Sequence, residues 1–455
     1  MPLPLFAQTA DVPSFTAPLP NAPVVEDRML AAIPAAPQEL ASWKSALDLV
    51  RSRSTDLGTV YAQVRAAEAQ ARTALAAVLP TINASATVPH HFITRETGTV
   101  IGTGGGAGSS VRPITTPQSD YLSFNAQLQQ SVINVQAWQN ISLQKDNVAA
   151  AKLSAEDTQR VIALSVATAM VGVVAAERVA EVNRIGLRTA LERRELTARK
   201  RALGVGTGLD LVRADQDVAQ ARATIVTANE ALRKSREALG LAVGIPSAVG
   251  VTRSLKLDDV FDGASRSCPH VDTLEGRPDV MASKKKAEVA ERTIRNVQLS
   301  FLPTLSASSS FQTTTADTGA ALPSTWSVSA TLSIPIWDGG AKYGTLRNAR
   351  AARDVSGFQL EALRRSVTVQ LAQANRNVDV AVEALGVAKE SRDLASQVDQ
   401  LTQTQYRAGQ GTSLELVVAA AALRQAEITL ALREFDVVTA RLQSLFALAR
   451  CSGTP

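Results

Sequence analysis

Residues 204–212, GVGTGLDLV, return further along the chain as residues 409–417, GQGTSLELV. A second pair matches in the same way: residues 79–85 read LPTINAS and residues 302–308 read LPTLSAS. Both halves show the same order of elements: a helix, a Leu-Pro junction, alternating strands, a very long helix, a glycine turn and a second long helix. A duplication of roughly 200 residues is far longer than the repeats of solenoids or propellers. The sequence therefore predicts two structurally equivalent halves around one axis.

The composition suits long helices better than a bulky globular core. Aromatic residues make up 4% of the 455 residues and alanine is abundant, so helices can pack closely through small side chains. The net charge is +5, but basic and acidic residues are interspersed, as in residues 192–195, ERRE. The densest basic run, residues 284–286, is short and lacks interleaved aromatics. We therefore expect a mixed solvated surface and no nucleic-acid partner.

The N-terminal region differs from the rest of the chain. Residues 1–42 contain eight prolines and much alanine, which predicts an extended, poorly ordered arm. Residues 1–10 lack a basic region and a full apolar core; they are not a complete secretory signal, and they fit the remnant of one if the true start lies upstream. No run of 18 or more apolar residues occurs, so no transmembrane helix is expected. A first helix is predicted from about residue 40 to 79, ending at Pro80.

Four segments alternate apolar and polar residues, which predicts strands at about residues 81–88, 121–133, 304–311 and 325–336. In the last of these, the polar face consists of hydroxyls without any charge. Four strands are too few to close a barrel alone. One apolar and one small polar face fit a barrel with lipid outside and water inside. An ordinary half-exposed antiparallel sheet is the alternative.

Proline is absent from residues 118–245 and 336–454, where two very long helices are predicted at 136–203 and 340–408. At 1.5 Å per residue, each is a rod of roughly 100 Å. After each glycine turn the apolar residues repeat every seven positions, which predicts left-handed supercoiling with alanine allowing close approach. This seam consists of Leu211, Val218, Ile225, Leu232 and Leu239 in the first half, and of Leu416, Leu423, Leu430 and Val437 in the second.

No grouping of residues indicates catalysis, a cofactor or a metal. The glycine-rich stretch at 102–108 lacks the Lys-Ser/Thr of a phosphate loop, and His90 and His91 have only His270 as a further histidine. Four methionines make a methionine-lined copper route improbable. The two cysteines, Cys268 and Cys451, are either free thiols or a disulfide in an oxidising compartment. We therefore expect no enzyme and no cofactor.

Together these features resemble the TolC-like outer-membrane factor family over about residues 40 to 450. The specific marks are Arg277-Pro278-Asp279 and the Phe301-Leu302-Pro303 helix-to-strand junction, together with residues 334–340, IPIWDGG, and 406–409, YRAG. The resemblance implies a mainly α fold with a small antiparallel β part. It further implies a homotrimer in the outer membrane of a Gram-negative bacterium, with a 12-stranded β-barrel continued by a periplasmic α-helical barrel.

On this interpretation the chain divides into an arm (1–42), a first repeat (43–245, tip at 204–208), a linker or equatorial segment (246–276), a second repeat (277–450, tip at 409–412) and a tail (451–455). The implied function is a passive exit duct for small molecules or polypeptides in a tripartite efflux or type I secretion system. Its partners are outer-membrane lipid, a periplasmic adaptor and an inner-membrane transporter. The alternative is a soluble, elongated coiled-coil scaffold.

The resemblance also assigns roles at the two glycine turns. Asp210 and Glu415 occupy matching positions and imply a ring of carboxylates at the pore constriction, although both also suit the start of a helix. Tyr406 matches a tyrosine that latches neighbouring helices; the arginine often found five residues later is Gly411 here. The contacts with the adaptor are implied at Leu203, Gly204, Val205, Ala408, Gly409 and Gln410, where the glycines also serve as helix C-caps.

Overall fold

The computed structural model describes residues 25–90, 121–315 and 324–451. The described residues are mainly helical, with two small sheets, and each half carries strands followed by a long helical hairpin. The elements in chain order are β1 (Gln38–Leu40), α1 (Trp43–Arg53), α2 (Thr55–Ala76), β2 (Thr81–Thr87), β3 (Ser123–Ile133), α3 (Val135–Ala202), α4 (Gly208–Ala242), β4 (Val249–Val251), α5 (Leu257–Ser267), α6 (Pro278–Leu299), β5 (Thr304–Thr314), β6 (Ser324–Ser333), α7 (Ala341–Arg407) and α8 (Ser413–Ala447).

The chain forms two compact units, and each takes segments from both halves. The strand unit contains residues 58–158 and 273–367, and the hairpin unit contains the residues up to 57, 159–272 and those from 368 onward. The long helices α3 and α7 begin in the strand unit and end in the hairpin unit.

The strand unit holds a four-stranded antiparallel sheet in the order β2-β3-β5-β6. The prediction of four strands is confirmed, with β5 extending to Thr314 and β6 ending at Ser333, before Pro335. Proline ends β6 early because it cannot donate to a strand ladder. The register places residues of one kind opposite each other, as in Ser308 with Ser329 and Leu305 with Leu332.

The helix predicted from about residue 40 to 79 is wrong in one respect, because it is two helices. Ser54 is extended (ψ 118°) and separates α1 from α2. The break lies where Gly244 comes close: a Cβ at Gly244 would lie 2.6 Å from the carbonyl oxygen of Arg53. The Ser54 hydroxyl also accepts from the Leu57 amide (3.3 Å), so a local serine contact marks the start of α2.

In the hairpin unit, the predicted heptad seam of α4 is buried from Val218 onward, and Leu211 is half-buried. Val218, Ile225, Leu232 and Leu239 are each 5% exposed or less. In α8, Val437 is buried, whereas Leu416, Leu423 and Leu430 are half-buried. The two long helices match the predicted limits within a residue or so. Helix α3 also contains an 18-residue window that is apolar enough, by length and composition, to cross a membrane. The window includes polar residues, so a search for uninterrupted apolar runs does not find it. Core helices of soluble proteins have the same property.

The N-terminal arm from residue 25 onward packs on the hairpin unit. Asp27 forms an ion pair with Arg222 (2.7 Å), and Met29 and Leu30 pack on the apolar cluster of α3 and α4. Further along, Arg236 donates to the Pro34 carbonyl (2.7 Å), and β1 pairs in parallel with β4. The prediction of a poorly ordered arm is therefore wrong from residue 25 onward, because these contacts hold the segment on the helices. Residues 1–24 lie outside the described part.

Candidate gate at the two glycine turns

The two glycine turns have the same backbone geometry. Gly204 and Gly409 have φ of +75° and +77°, which only glycine adopts readily. After α3, the amide of Val205 donates to the carbonyl of Lys200 (3.0 Å); after α7, Gln410 donates to Gln405 (3.0 Å). This is the Schellman arrangement that ends helices. An added Cβ at either glycine would meet no atom within 4 Å, so positive φ, not crowding within the chain, requires glycine here.

Threonine and an acid then open the next helix in both halves. The Thr207 hydroxyl accepts from the Asp210 amide (3.2 Å), and Asp210 accepts from the Thr207 amide (3.2 Å). In the second half, Thr412 and Glu415 form the same capping box, with Glu415 accepting from the Thr412 amide at 2.8 Å. Both acids are therefore helix caps.

These contacts also set the charge of the two carboxyl groups. The Ser413 hydroxyl is the main cause that lowers the pKa of Asp210, followed by the hydroxyl of Thr207. The backbone amide of Thr412 lowers the pKa of Glu415. Hydrogen bonds to the ionised form have this effect because protonation would lose them. Both groups therefore remain anionic below the usual carboxyl range.

Asp210 also joins the two helical hairpins. Its second carboxylate oxygen accepts a short hydrogen bond from the hydroxyl of Ser413, the first residue of α8. Ser413 is buried, and Arg213 Nη1 lies 3.4 Å from the same hydroxyl. One carboxylate thus caps α4 and contacts the start of α8.

Tyr406 contacts the first turn through its ring. Lys200 Nζ lies 4.1 Å from the centroid of the Tyr406 ring, within the range of a cation–π interaction. Lys200 also supplies the carbonyl that caps α3. The face of the tyrosine ring therefore contacts a lysine of the other hairpin.

The turns expose apolar side chains to solvent. Leu203 is 78% exposed and Val205 is 76% exposed. Beyond the turns, Leu209, Val212, Leu414 and Val418 are also exposed. Exposed apolar residues grouped at one place indicate a contact surface. The second turn presents Ala408 and Gln410 instead, so the two turns differ in apolar character.

Further from the turns, two ion pairs join the hairpins in buried surroundings. Arg193 on α3 lies 3.5 Å from Asp399 on α7, and Arg424 on α8 lies 3.5 Å from Asp217 on α4. Asp217 and Asp399 are both buried. Burial lowers the pKa of Arg193, against the raising effect of Asp399. These pairs add buried charged contacts to the interface between the two hairpins.

The end of α5 is covalently tied to the C-terminal segment. The sulfur atoms of Cys268 and Cys451 are bonded at 1.95 Å, and both residues are buried. Beside the bond, Val271 donates to the Leu448 carbonyl (2.7 Å) and Arg450 donates to the Pro269 carbonyl (3.0 Å). His270 pairs with Ala449 as an isolated β-bridge. His91 lies outside the described residues.

Sequence reasoning found the turns and the acids but missed their partners. The pattern Thr-x-x-Asp/Glu at 207–210 and 412–415 is a recognisable capping box and could have been found. Nothing local predicts that Ser413 binds Asp210 or that Lys200 covers Tyr406, because the partners lie about 200 residues apart.

The chain matches the model of the outer membrane efflux protein family over residues 46–245 and 271–453, and it belongs to that family. The protein is accordingly an outer-membrane protein with its helical part in the periplasm, and the soluble scaffold alternative is wrong. The prediction of a mainly α fold with a small antiparallel β part and duplicated halves is confirmed by the helical content, the duplicated elements and the similar solved structures.

Among relatives, the outer membrane protein OprJ of Pseudomonas aeruginosa is 30% identical over 186 residues, which is 37% of this chain and 38% of OprJ. The pyoverdine export outer membrane protein OpmQ of Pseudomonas putida is 21% identical over 393 residues, covering 84% of this chain and 80% of OpmQ. Among solved structures, the CmeC outer membrane channel of Campylobacter jejuni aligns with a TM-score of 0.74 and 15% identity, covering 94% of each chain.

Proposed function

We propose that the protein is the exit duct of a tripartite efflux system, through which solutes leave the periplasm without energy input at this protein. The observation that carries the proposal is the sheet: four strands with one apolar and one polar face, joined to paired helical hairpins. Family membership and the export named for OpmQ favour efflux over type I secretion.

The sheet supports assembly from several copies. Within the described residues, β2 and β6 each pair on one side only, so both edges of the sheet are open. Open edges do not persist in lipid, because their backbone groups have no water to bind. Closure between copies removes both edges, and three copies give the 12-stranded barrel that the family resemblance implies. We propose a homotrimer on this basis.

The glycine turns are proposed as the gate and the contact with the adaptor. In a trimer, Asp210 and Glu415 supply six carboxylates near one axis, which attract cations. The Asp210–Ser413 and Lys200–Tyr406 contacts hold the two hairpins of a chain together in the closed gate. A periplasmic adaptor, coupled to an inner-membrane transporter, then contacts Leu203, Gly204, Val205, Ala408, Gly409 and Gln410.

Reconstitution in a planar bilayer tests the proposal. Detergent-extracted protein should have the mass of a trimer and give small, cation-selective conductance steps. A monomer or dimer without conductance would contradict the proposed duct. Removal of the hairpin contact by Ser413→Ala should raise the conductance, because the gate opens more easily. Ser444→Ala removes a hydroxyl that contacts Asn375 at 3.0 Å, away from the turns, and serves as the control.

A further inference from the structure

None of the four strands of the sheet carries an Asp, Glu, Lys, Arg or His residue. This holds over all of β2, β3, β5 and β6. The polar face carries only hydroxyl and carboxamide side chains. In order of the strands, these are Thr81, Asn83, Ser85 and Thr87; Ser123, Asn125, Gln127, Gln129 and Ser131; Thr304, Ser306, Ser308, Ser310, Gln312 and Thr314; and Thr325, Ser327, Ser329, Thr331 and Ser333.

The hydroxyls on this polar face pair across strands. Ser308 and Ser329 lie 2.8 Å apart between their oxygens, as do Ser310 and Ser327. On β3, Asn125, Gln127 and Gln129 are exposed. The face thus offers both hydrogen-bond donors and acceptors and carries no fixed charge.

The opposite face is apolar apart from four polar side chains, and each of the four has a hydrogen bond within the protein. Gln130 donates to the carbonyls of Val78 (2.9 Å) and Ser131 (2.7 Å), and Ser309 accepts from the Trp326 indole (2.8 Å). Near the strand ends, Thr313 and Ser324 pair at 2.9 Å. Polar groups bonded within the protein suit a face in hydrocarbon, where water cannot satisfy them. The apolar face is therefore suited to lipid, and the uncharged polar face to the water-filled passage.

We infer that the strands line the outer-membrane part of the duct with a neutral hydrogen-bonding surface that does not select solutes by charge. Rings of charged side chains select ions in pores, and this surface has none. Hydroxyls and amides replace water for neutral, zwitterionic, cationic and anionic polar solutes alike. This inference rests on the proposed function: the strand segment is an exit for polar solutes of either sign, and charge preference arises elsewhere in the duct.

The test places one charge on the polar face. Ser308→Asp and Ser308→Lys each put three like charges in a trimer. In a KCl gradient, the reversal potential should shift towards cation selectivity for the Asp variant and towards anion selectivity for the Lys variant. If both conducting variants keep the wild-type reversal potential, the inference is overturned. A wild-type trimer that gives no conductance contradicts the proposed function instead, so the two failures are distinguishable.

Thiol labelling gives a second readout with matched controls. Both native cysteines are in the disulfide, so an introduced cysteine is the only free thiol. Gln127→Cys and Ser329→Cys lie on the polar face, and Ala126→Cys and Ala330→Cys lie beside them on the apolar face. Membrane-impermeant charged methanethiosulfonates should label the first pair in proteoliposomes and leave the second pair unmodified. Equal labelling of both pairs, or the reverse pattern, would overturn the inference.

Discussion

At the scale of single residues, Asp210 and Glu415 each have a local role that is independent of any pore. Each accepts hydrogen bonds from the threonine that opens its helix, as a capping box requires. A conductance effect at these positions must therefore be separated from a loss of helix capping. The separation is possible because a carboxamide at this third helical position still accepts a hydrogen bond from the N-cap amide but carries no charge.

We expect Asp210→Asn combined with Glu415→Gln to reduce cation preference in single-channel recordings, because six carboxylates become neutral in a trimer. Glu434→Gln, on α8 but away from the turn, is the control for a general change in charge. Unchanged cation selectivity in the double variant would contradict the proposed role of these carboxylates.

The lowered pKa values of Asp210 and Glu415 predict how the ring responds to acid. Unfolded carboxyl groups titrate near pH 4. Because the folded pKa values lie below this, the capping contribution to stability is present above the unfolded pKa and is lost as pH falls through the folded pKa. Cation preference should therefore persist when the pH is lowered to about 4 and decline only below it. A loss centred near pH 6 would indicate that other groups set the preference.

Gly409 is required by its backbone conformation and not by lack of space. A β-branched residue at φ +77° is strained, with a cost of about 1–2 kcal/mol, whereas asparagine tolerates this region. Gly409→Val should weaken crosslinking of the adaptor at the turn, and Gly409→Asn should retain most of it. Equal crosslinking for the two variants would mean that the turn conformation does not decide adaptor contact.

At the scale of elements, the hairpin unit has a buried ion pair between its two hairpins and an exposed ion pair within the first hairpin, so the effect of burial can be compared. Arg193–Asp399 is largely buried, whereas the side chains of Arg194 and Asp215 are 44% and 49% exposed. Removing one partner of a buried pair leaves an uncompensated charge.

Asp399→Asn should destabilise the hairpin unit by about 3 kcal/mol, because Arg193 remains buried without its partner. Asp215→Asn should cost less than about 1 kcal/mol, as expected for a solvent-exposed pair. The apparent unfolding temperature of detergent-solubilised protein, measured at one scan rate, distinguishes the two. Similar shifts for both variants would show that burial of Arg193 does not matter for stability.

At the scale of the whole molecule, the disulfide closes a long loop. Cys268 and Cys451 are separated by 183 residues, and this interval contains the whole second strand pair and its helical hairpin. A crosslink of this kind stabilises the fold mainly by restricting the unfolded chain.

We expect Cys268→Ser combined with Cys451→Ser to lower stability by about 2–5 kcal/mol. The same loss should appear when the wild-type protein is unfolded under reducing conditions, while the double variant should be insensitive to reductant. A reductant effect of equal size in the double variant would show that the bond is not its cause.

The repeated order of strands and helices could be predicted from the sequence alone. Alternating apolar and polar residues predicted the strands, and long proline-free stretches predicted the helices. The heptad repeat predicted a seam that is buried in α4. These predictions succeed because backbone geometry and burial impose a regular spacing on apolar residues. The two glycine turns and the acidic residues after them could also be predicted, because their short sequences match in the two halves. The split at Ser54, by contrast, was not predicted, although the Ser54 hydroxyl accepts from the Leu57 amide (3.3 Å) at the start of α2.

The contacts between these repeated features depend on the tertiary structure and are not predicted by the sequence pattern. The Asp210–Ser413 hydrogen bond, the Lys200–Tyr406 contact and the Cys268–Cys451 bond each join residues far apart in the chain. The cross-strand register likewise gathered the uncharged polar residues onto one face. A local pattern determines the element to which a residue belongs. The residue that it contacts depends on how elements distant in sequence pack together, and this packing leaves no periodic pattern in the sequence.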